Sequence, residues 1–295
     1  MCMTFNENAD FGKNKASRRG RNTAIAGGGV VGIGAIAVLL IQAFTGQDLS
    51  SLLGIVGGGE GSQGSGESAI VENCDSGADA NADDACRLEG GAIVLDEFWG
   101  RTLEGYREPE LVIVDGSTGT QCGTASNATG PFYCPPEETV YIDPTFFGLL
   151  RSQYDASAGD LAQLYVLAHE YGHHVQNLIG VFQEHPQNGA GPDSNGVRTE
   201  LQADCFAGAW VTAMTEEKDA DGDPYLKEPT PQQIADALNA AAAVGDDHIQ
   251  EQSGGQVNPE SWTHGSSEQR QRWFDTGRSG GVNACDTFAV AGSEL

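Results

Sequence analysis

The sequence has few basic residues, and they are unevenly distributed. Only 15 of the 295 residues are lysine or arginine, against 42 aspartates and glutamates. Five of the basic residues lie in residues 1–22, so the rest of the chain carries 10 basic and 40 acidic side chains, a formal charge of −30. Such a surface repels phosphate groups, which argues against nucleic acid and anionic lipid headgroups as partners of the folded part.

The sequence also contains no Cys-x-x-Cys spacing, which argues against a zinc site made of thiolates. Six of the seven cysteines come after residue 45. Six cysteines allow 15 connectivities, and disulfides persist where the environment is oxidising, outside the cytoplasm. Proximity along the chain suggests the pairs Cys74–Cys86 and Cys122–Cys134, which leaves Cys205–Cys285.

Residues 23–45 carry no charge and are mostly apolar. As a helix they would reach roughly 34 Å, enough to cross the hydrocarbon core of a bilayer. Because the basic cluster precedes them, the positive-inside rule places the N-terminus in the cytoplasm and the rest of the chain outside. A cleaved signal peptide is the alternative, although no clear Ala-x-Ala cleavage site follows.

The predicted organisation is a single-pass membrane protein with four segments. These are a cytoplasmic basic tail (1–22), a transmembrane signal anchor (23–45), an acidic linker rich in glycine and serine (46–87) and an extracytoplasmic domain (88–295).

The chemistry of the chain centres on Leu167–His174, in which His169, Glu170 and His173 form an H-E-x-x-H motif. The surrounding residues, 158–180, have the pattern of one helix with Asp160 as its N-cap. Residues four apart on a helix share a face, so the two histidines can bind one metal ion. Glu170 lies about 100° further round, near a water on that metal. The alternative is a helix whose histidines only make hydrogen bonds in a core.

A second motif, Glu200-Leu-Gln-Ala-Asp204, lies on a helix predicted at 195–217. A hydrolytic zinc site needs a third protein ligand and an open fourth position. Glu200 can supply that ligand, and Asp204 can accept the N–H of a ligand histidine. Ala203 and Ala207 would let the two helices approach closely. The alternative is a solvated acidic helix face.

HExxH followed by ExxxD is the gluzincin arrangement, and five stretches resemble the bacterial family named putative neutral zinc metallopeptidases. The resemblance covers about residues 88–288 and weakly includes Arg18–Gly20. The stretches are Gly130–Pro135, Val140–Asp143, His169–Gln176, Glu200–Gly208 and Thr263–Arg270.

The resemblance implies an α+β, zincin-like fold with a small sheet beside the pair of metal helices. It implies a zinc-dependent peptidase that acts on a protein or peptide. In gluzincins the strand before the metal helix forms the rim of the cleft, so the substrate backbone is expected to pair with the edge at residues 140–142.

His264 is the remaining histidine with a candidate role. It could donate a hydrogen bond to the oxyanion of a tetrahedral intermediate. It could equally brace the last helix, for which Ser266 and Gln269 predict a capping box.

The sequence therefore predicts peptide hydrolysis by a zinc-activated water, with Glu170 as general base. The alternative is a membrane-tethered binding or assembly protein with a vestigial zinc site. Hydrolysis of a non-peptide bond is a third hypothesis, which the ligands alone do not separate from the first.

Overall fold

A computed structural model describes residues 4–12, 15–20, 69–71, 73–153, 159–252 and 256–295. The described chain is a mixed α+β structure, as predicted. Its strands are β1 (Ala16–Gly20), β2 (Ala69–Ile70), β3 (Glu110–Asp115), β4 (Ser117–Thr120), β5 (Gly123–Ser126), β6 (Phe132–Cys134) and β7 (Thr139–Ile142). Its helices are α1 (Gly77–Ala82), α2 (Asp84–Thr102), α3 (Phe146–Gln153), α4 (Asp160–Leu178), α5 (Val181–Glu184), α6 (Asn195–Ala213), α7 (Pro231–Ala243), α8 (Asp246–Gln252) and α9 (Ser267–Gly280).

Several helices begin at residues whose side chains cap the free backbone N–H groups of the first turn. Ser266 forms the predicted capping box with Gln269, and Thr230 forms another with Gln233. The helix of the HExxH motif differs from the prediction, because its N-cap is Gly159 and no side chain caps it. Asp160 is instead the first helical residue, where its charge favours the positive end of the helix dipole.

The main sheet has the strand order β2-β1-β3-β7-β6. Strands β1, β3 and β7 run parallel, whereas β2 and β6 are antiparallel to their neighbours. β7 pairs with β3 on one side and with β6 on the other. The prediction that residues 140–142 form a free edge of the sheet is therefore wrong. The free edge on this side of the described sheet is β6.

The helices α2, α4, α6 and α9 pack together with one face of the sheet in the main hydrophobic core. A smaller cluster on the other face includes Val112, Val114 and Tyr141, with Ala125 of the β4–β5 hairpin. The three predicted disulfides, Cys74–Cys86, Cys122–Cys134 and Cys205–Cys285, are all present. The last of them joins α6 to the chain after α9.

The N-terminal boundary of the folded domain differs from the predicted division at residue 88. Strand β1, from the predicted cytoplasmic tail, lies inside the sheet and pairs with β3 over five residues. Residues 69–71 and 73–87, assigned to the linker, include β2, α1 and the start of α2. The sequence of β1, Ala-Ser-Arg-Arg-Gly, lacks the apolar alternation by which a strand is usually recognised. Within the described residues, therefore, the domain begins at residue 4.

The predicted transmembrane anchor at 23–45 lies outside the described residues. Among the residues that are described, no helix has both the length and the apolar character needed to cross a membrane.

Candidate metal centre

The centre lies between α4 and α6, two helices of 19 residues each. They approach closely because small residues face each other. A Cβ added to Gly172 would lie 2.9 Å from the Cα of Ala203, closer than real Cβ contacts allow. Ala207 is also fully buried. The small residues of α6 therefore bring the carboxylates of this helix within reach of the histidines of α4.

Three side chains converge at one point of this helix pair. The Nε2 atom of His169 lies 3.2 Å from Oε2 of Glu200, and Nε2 of His173 lies 3.6 Å from Oε1 of the same carboxylate. The ligand atoms of the three residues lie within 4.8 Å of one another. All three residues are buried, with 3 to 7% of their surface exposed. Within the described part of the chain, this is the one group of histidine, cysteine and carboxylate side chains that could hold a metal ion.

His169 is oriented by a charged partner. Its Nδ1 lies 2.8 Å from Oδ1 of Asp204, so Nδ1–H donates to the carboxylate and Nε2 faces Glu200. Arg270 of α9 donates to both oxygens of Asp204, from Nε at 2.8 Å and from Nη2 at 2.9 Å. The hydroxyl of Tyr165 donates to the same carboxylate at 2.5 Å. Asp204, which is fully buried, is thus surrounded by donors.

His173 is oriented by a neutral partner. Its Nδ1 donates to Oε1 of Gln176 at 2.8 Å, which again turns Nε2 towards Glu200. The amide nitrogen of Gln176 donates to the carbonyl of Thr199 and to Oε1 of Gln202. Gln202 in turn donates to the carbonyl of Cys285, a disulfide residue. A chain of amides thus links the second histidine to the disulfide of α6.

The charges of the centre depend on these contacts. Burial would lower the pKa of His169, but Asp204 and Glu200 raise it to about 10 when no metal is bound. Burial would raise the pKa of Asp204, and Arg270 and His169 instead hold it at about 2. The pKa of Glu200 is also well below its usual range, because both ligand histidines outweigh its burial. The carboxylates are therefore ionised at neutral pH.

Glu170 lies beside the cluster, 7% exposed. Its burial raises its pKa, while His173, His169 and the backbone N–H of Tyr133 act in the opposite direction. A carboxylate with a raised pKa is a better proton acceptor than an exposed one. The contact with Tyr133 also places Glu170 next to the free edge strand β6.

His264 lies near enough to Glu200 for each residue to shift the pKa of the other. Its Nδ1 contacts Oδ1 of Asp246 at 3.3 Å and the hydroxyl of Thr263 at 3.0 Å. The other oxygen of Asp246 accepts the backbone N–H groups of residues 263–265. Burial lowers the pKa of His264, but Asp246 and Glu200 outweigh it and raise the pKa. The loop is thus built to hold this imidazole beside the cluster.

The other histidines lie outside the ligand cluster. His174 accepts from the hydroxyl of Tyr133 and donates to the carbonyl of Arg107. The ring of His185 stacks on Phe288 with 3.9 Å between ring centroids. These contacts give both side chains a packing role.

Four residues of the centre had no role assigned from the sequence. Arg270 and Gln176 stand within the stretches that resemble the peptidase family, but nothing in a linear motif says which side chain they touch. Asp246 stands in a Gly-Asp-Asp-His segment without a recognisable metal spacing. Tyr165 lies four residues before His169 on α4, and this spacing was the available signal.

The cluster has the composition and dimensions of a zinc site. Two imidazole nitrogens and a carboxylate oxygen are the ligands of many catalytic zinc ions, and tetrahedral bonds of about 2.0–2.1 Å place neighbouring ligand atoms roughly 3.3 Å apart. The separations of 3.2 and 3.6 Å agree with that spacing. The fold and the side chains therefore define a protein in which two adjacent helices present three preformed side chains that could hold a metal ion.

Residues 6–288 match the family described as "Putative neutral zinc metallopeptidase", and the chain belongs to this family. It is 49% identical over 223 residues to "Uncharacterized protein Rv2575" of Mycobacterium tuberculosis, covering 75% of this chain and 76% of that protein. It is 38% identical over 265 residues to "Uncharacterized protein YpfJ" of Escherichia coli K12, covering 86% and 85% respectively. No solved structure matches the chain significantly.

Proposed function

We propose that the protein is a zinc-dependent peptidase with a zincin-like active site. The observation that carries this proposal is the convergence of His169, His173 and Glu200 within 4.8 Å, directly beside the buried carboxyl group of Glu170. A purely structural metal site would not need a fourth group with a raised pKa next to its ligands. Family membership supports the same activity.

The proposed roles follow from position and charge. His169, His173 and Glu200 would hold the ion, and zinc in such a site supplies Lewis acidity, which acidifies water and polarises a carbonyl group. Glu170 would take the proton of the attacking water and return it to the leaving amine. Asp204 would fix the His169 ring, as the partner of a ligand histidine commonly does.

His264 is proposed as the donor to the oxyanion that forms during attack. Its contacts with Thr263 and Asp246 both use Nδ1, so Nε2 is the nitrogen that can serve a substrate. Its raised pKa supports a protonated, donating ring.

The proposed substrate is an extended peptide paired with β6. Since β7 is paired on both sides, β6 is the strand whose outer backbone groups can bind a peptide. The backbone N–H of Tyr133 on this strand forms a hydrogen bond with Glu170 and lowers its pKa. A peptide along β6 would therefore pass the proposed base.

The proposed place of action is outside the cytoplasm. Three disulfides join cysteines of the described chain, and disulfides are rare in the reducing cytosol. Membrane attachment through residues 23–45 remains a prediction, and the packing of the N-terminal strand bears on how it could occur.

The test is zinc content and peptide hydrolysis measured on the same preparations of the full chain. Glu200→Ala should lose zinc. Glu170→Gln should keep zinc and lose hydrolysis by about 10²–10⁴-fold, because an amide cannot accept the proton. His264→Ala should keep zinc and lower kcat by about 10²–10³-fold, whereas His185→Ala, outside the cluster, should change neither.

Two results would count against the proposal. Stoichiometric zinc in Glu200→Ala would remove Glu200 as a ligand. Wild-type protein that binds zinc but cleaves no peptide in a mixed library would favour the binding or assembly protein with a vestigial site.

A further inference from the structure

The first described residues of the chain lie in its core. Phe5, Ala9 and Phe11 are 0 to 3% exposed. The rings of Phe5 and Phe11 meet edge to face with 5.7 Å between centroids, and Phe11 also contacts the ring of Tyr225. An N-terminal tail separated from the domain by a membrane would leave these rings without their apolar surroundings.

Specific hydrogen bonds hold the same segment. The backbone N–H of Phe5 donates to Oδ1 of Asn81, and Nδ2 of Asn81 donates back to the carbonyl of Phe5, both at 3.0 Å. At Thr4, the carbonyl accepts from the N–H of Lys227 at 2.9 Å, and the hydroxyl accepts from Gln233 at 2.9 Å. The partners therefore come from widely separated parts of the chain, around residue 81 and around residue 230.

At one glycine of the domain, the backbone of this segment approaches too closely for any side chain. A Cβ added to Gly77 would lie 1.8 Å from the carbonyl oxygen of Asn6, so only glycine permits the approach at this point. The contact is made by backbone on both sides and does not depend on a flexible side chain.

The following residues enter the sheet between two other strands. Strand β1 pairs with β3 from Ala16 to Gly20 and with β2 at Ser17 and Arg18. The backbone N–H of Lys15 donates to buried Glu89, and the Lys15 ammonium lies 2.7 Å from Asp96. Arg19 reaches the hydroxyl of Tyr141. Lys15 and Arg19, two of the basic residues from which a cytoplasmic N-terminus was predicted, thus make contacts within the domain.

The register of β1 and β2 determines where the intervening chain leaves and returns. The two strands are antiparallel, with Arg18 opposite Ala69. Neighbouring strands are about 4.8 Å apart, so the described residues that flank 21–68, namely Gly20 and Ala69, lie close together in one sheet. A segment with both ends in one sheet can cross a membrane only an even number of times.

We propose that residues 4–12 and 15–20 are a permanent part of the domain and lie on the same side of any membrane as the metal centre. A single crossing by residues 23–45 would put β1 on the wrong side of the membrane for its pairing with β3. The apolar stretch then cannot separate an N-terminal tail from the domain. The proposal is independent of peptidase activity.

The first experiment is a cross-link in the full chain expressed in bacteria. In the double variant Ser17→Cys/Val112→Cys, the new thiols lie at paired positions of neighbouring strands. Paired Cα atoms about 4.8 Å apart suit a disulfide. Cells are treated with the permeant oxidant diamide, free thiols are blocked before lysis, and peptides are mapped. We expect most molecules to contain the 17–112 link.

The matched control is Ser17→Cys/Asp115→Cys, which shifts the second thiol three residues along β3. That shift is about 10 Å, beyond the reach of a disulfide, so this variant should give no link. Equal yields in the two double variants, or no link in the first while Cys205–Cys285 is intact, would overturn the proposal.

The second experiment measures the side of the membrane directly. Epitope tags are attached to both ends of the full chain, and protease is added to intact spheroplasts and then to lysed ones. We expect the two tags to behave alike, both digested in intact spheroplasts or both protected. Digestion of one tag with protection of the other would place the termini on opposite sides and refute the proposal.

Discussion

Two buried carboxyl groups, one at the metal centre and one beneath the N-terminal segment, have pKa values shifted in opposite directions. Asp204 at the metal centre and Glu89 beneath the N-terminal segment are both 0% exposed. The pKa of Asp204 is about 2, whereas burial raises the pKa of Glu89 from 4.5 to about 7. Burial is shared, so the difference must come from the partners of each group.

Asp204 is met by a guanidinium, an imidazole and a phenol, which together engage both of its oxygens. Glu89 accepts from the backbone N–H of Lys15 through Oε1, and its Oε2 has no hydrogen-bond partner among the described residues. The comparison shows that the metal centre is built to keep a negative charge in place. At Glu89, burial outweighs the hydrogen bond from the Lys15 backbone and favours a neutral carboxyl group.

The largest effect is expected from removing the charge partner of Asp204. Arg270→Met should lower the free energy of unfolding by about 3–5 kcal/mol, because a buried carboxylate loses its counter-ion. Chemical denaturation measures the loss. The control is Arg272→Met on the same helix, whose exposed pair with Glu268 should be worth at most about 1 kcal/mol.

A double variant tests whether the effect comes from the unpaired charge. Arg270→Met combined with Asp204→Asn should lose less stability than Arg270→Met alone, since no buried charge is then left unpaired. If the two losses simply added, the interpretation of Asp204 as a charge held by Arg270 would be wrong.

An effect of intermediate size is expected at Glu89. Here the neutral carboxyl group stabilises the fold, whereas at Asp204 the charged one does. The native pKa of about 7 lies above the ordinary 4.5, so the native state binds the proton more readily than the unfolded state. Stability from this group is complete below pH 4.5 and falls as the pH rises to about 7 and beyond. The side chain of Glu89→Gln has no proton to lose. As the pH rises from 5 to 8, the free energy of unfolding of this variant should therefore increase by about 1–3 kcal/mol relative to that of the wild type.

Denaturation curves at several pH values check this prediction. Glu97→Gln on the same helix is the control, because Glu97 is exposed. An identical pH dependence for Glu89→Gln and the wild type would show that Glu89 titrates normally, and the contrast with Asp204 would disappear.

The smallest effect is expected from single hydroxyl groups. Tyr165→Phe removes one donor to Asp204 and should lower stability by about 0.5–1.5 kcal/mol, with zinc retained. Tyr171→Phe is a matched control on the same helix, because its buried hydroxyl has no hydrogen-bond partner among the described residues. Calorimetry should show no loss for this variant. Equal losses for both would mean that the Tyr165 bond contributes nothing.

The sequence was informative where chemistry depends on spacing along one helix. The separation of four between His169 and His173, and between Glu200 and Asp204, predicts shared faces, and the structure brings these residues together as expected. The capping box at Ser266 is likewise a local signal. Proximity also gave the correct disulfide pairs.

It was uninformative where a contact depends on how separate elements meet. The guanidinium of Arg270 reaches Asp204 only because α9 packs on α6 through Gly208 and Gly277, at which an added Cβ would strike backbone atoms. Strand order was hidden for the same reason, and the free edge was placed on β7 in place of β6. The pairing of β1 with β3 was missed because its charged residues resembled a tail.

The bond between Thr4 and Gln233, 229 residues apart, has a consequence for the order of assembly. At a rate of synthesis of roughly 5–20 residues per second, about 10–50 s pass between the synthesis of Thr4 and that of Gln233. Arg270 leaves the ribosome later still. A nascent chain that already contains His169, His173 and Glu200 therefore still lacks the cation that holds Asp204 ionised. Assembly of the centre is thereby delayed until nearly the whole chain has been made.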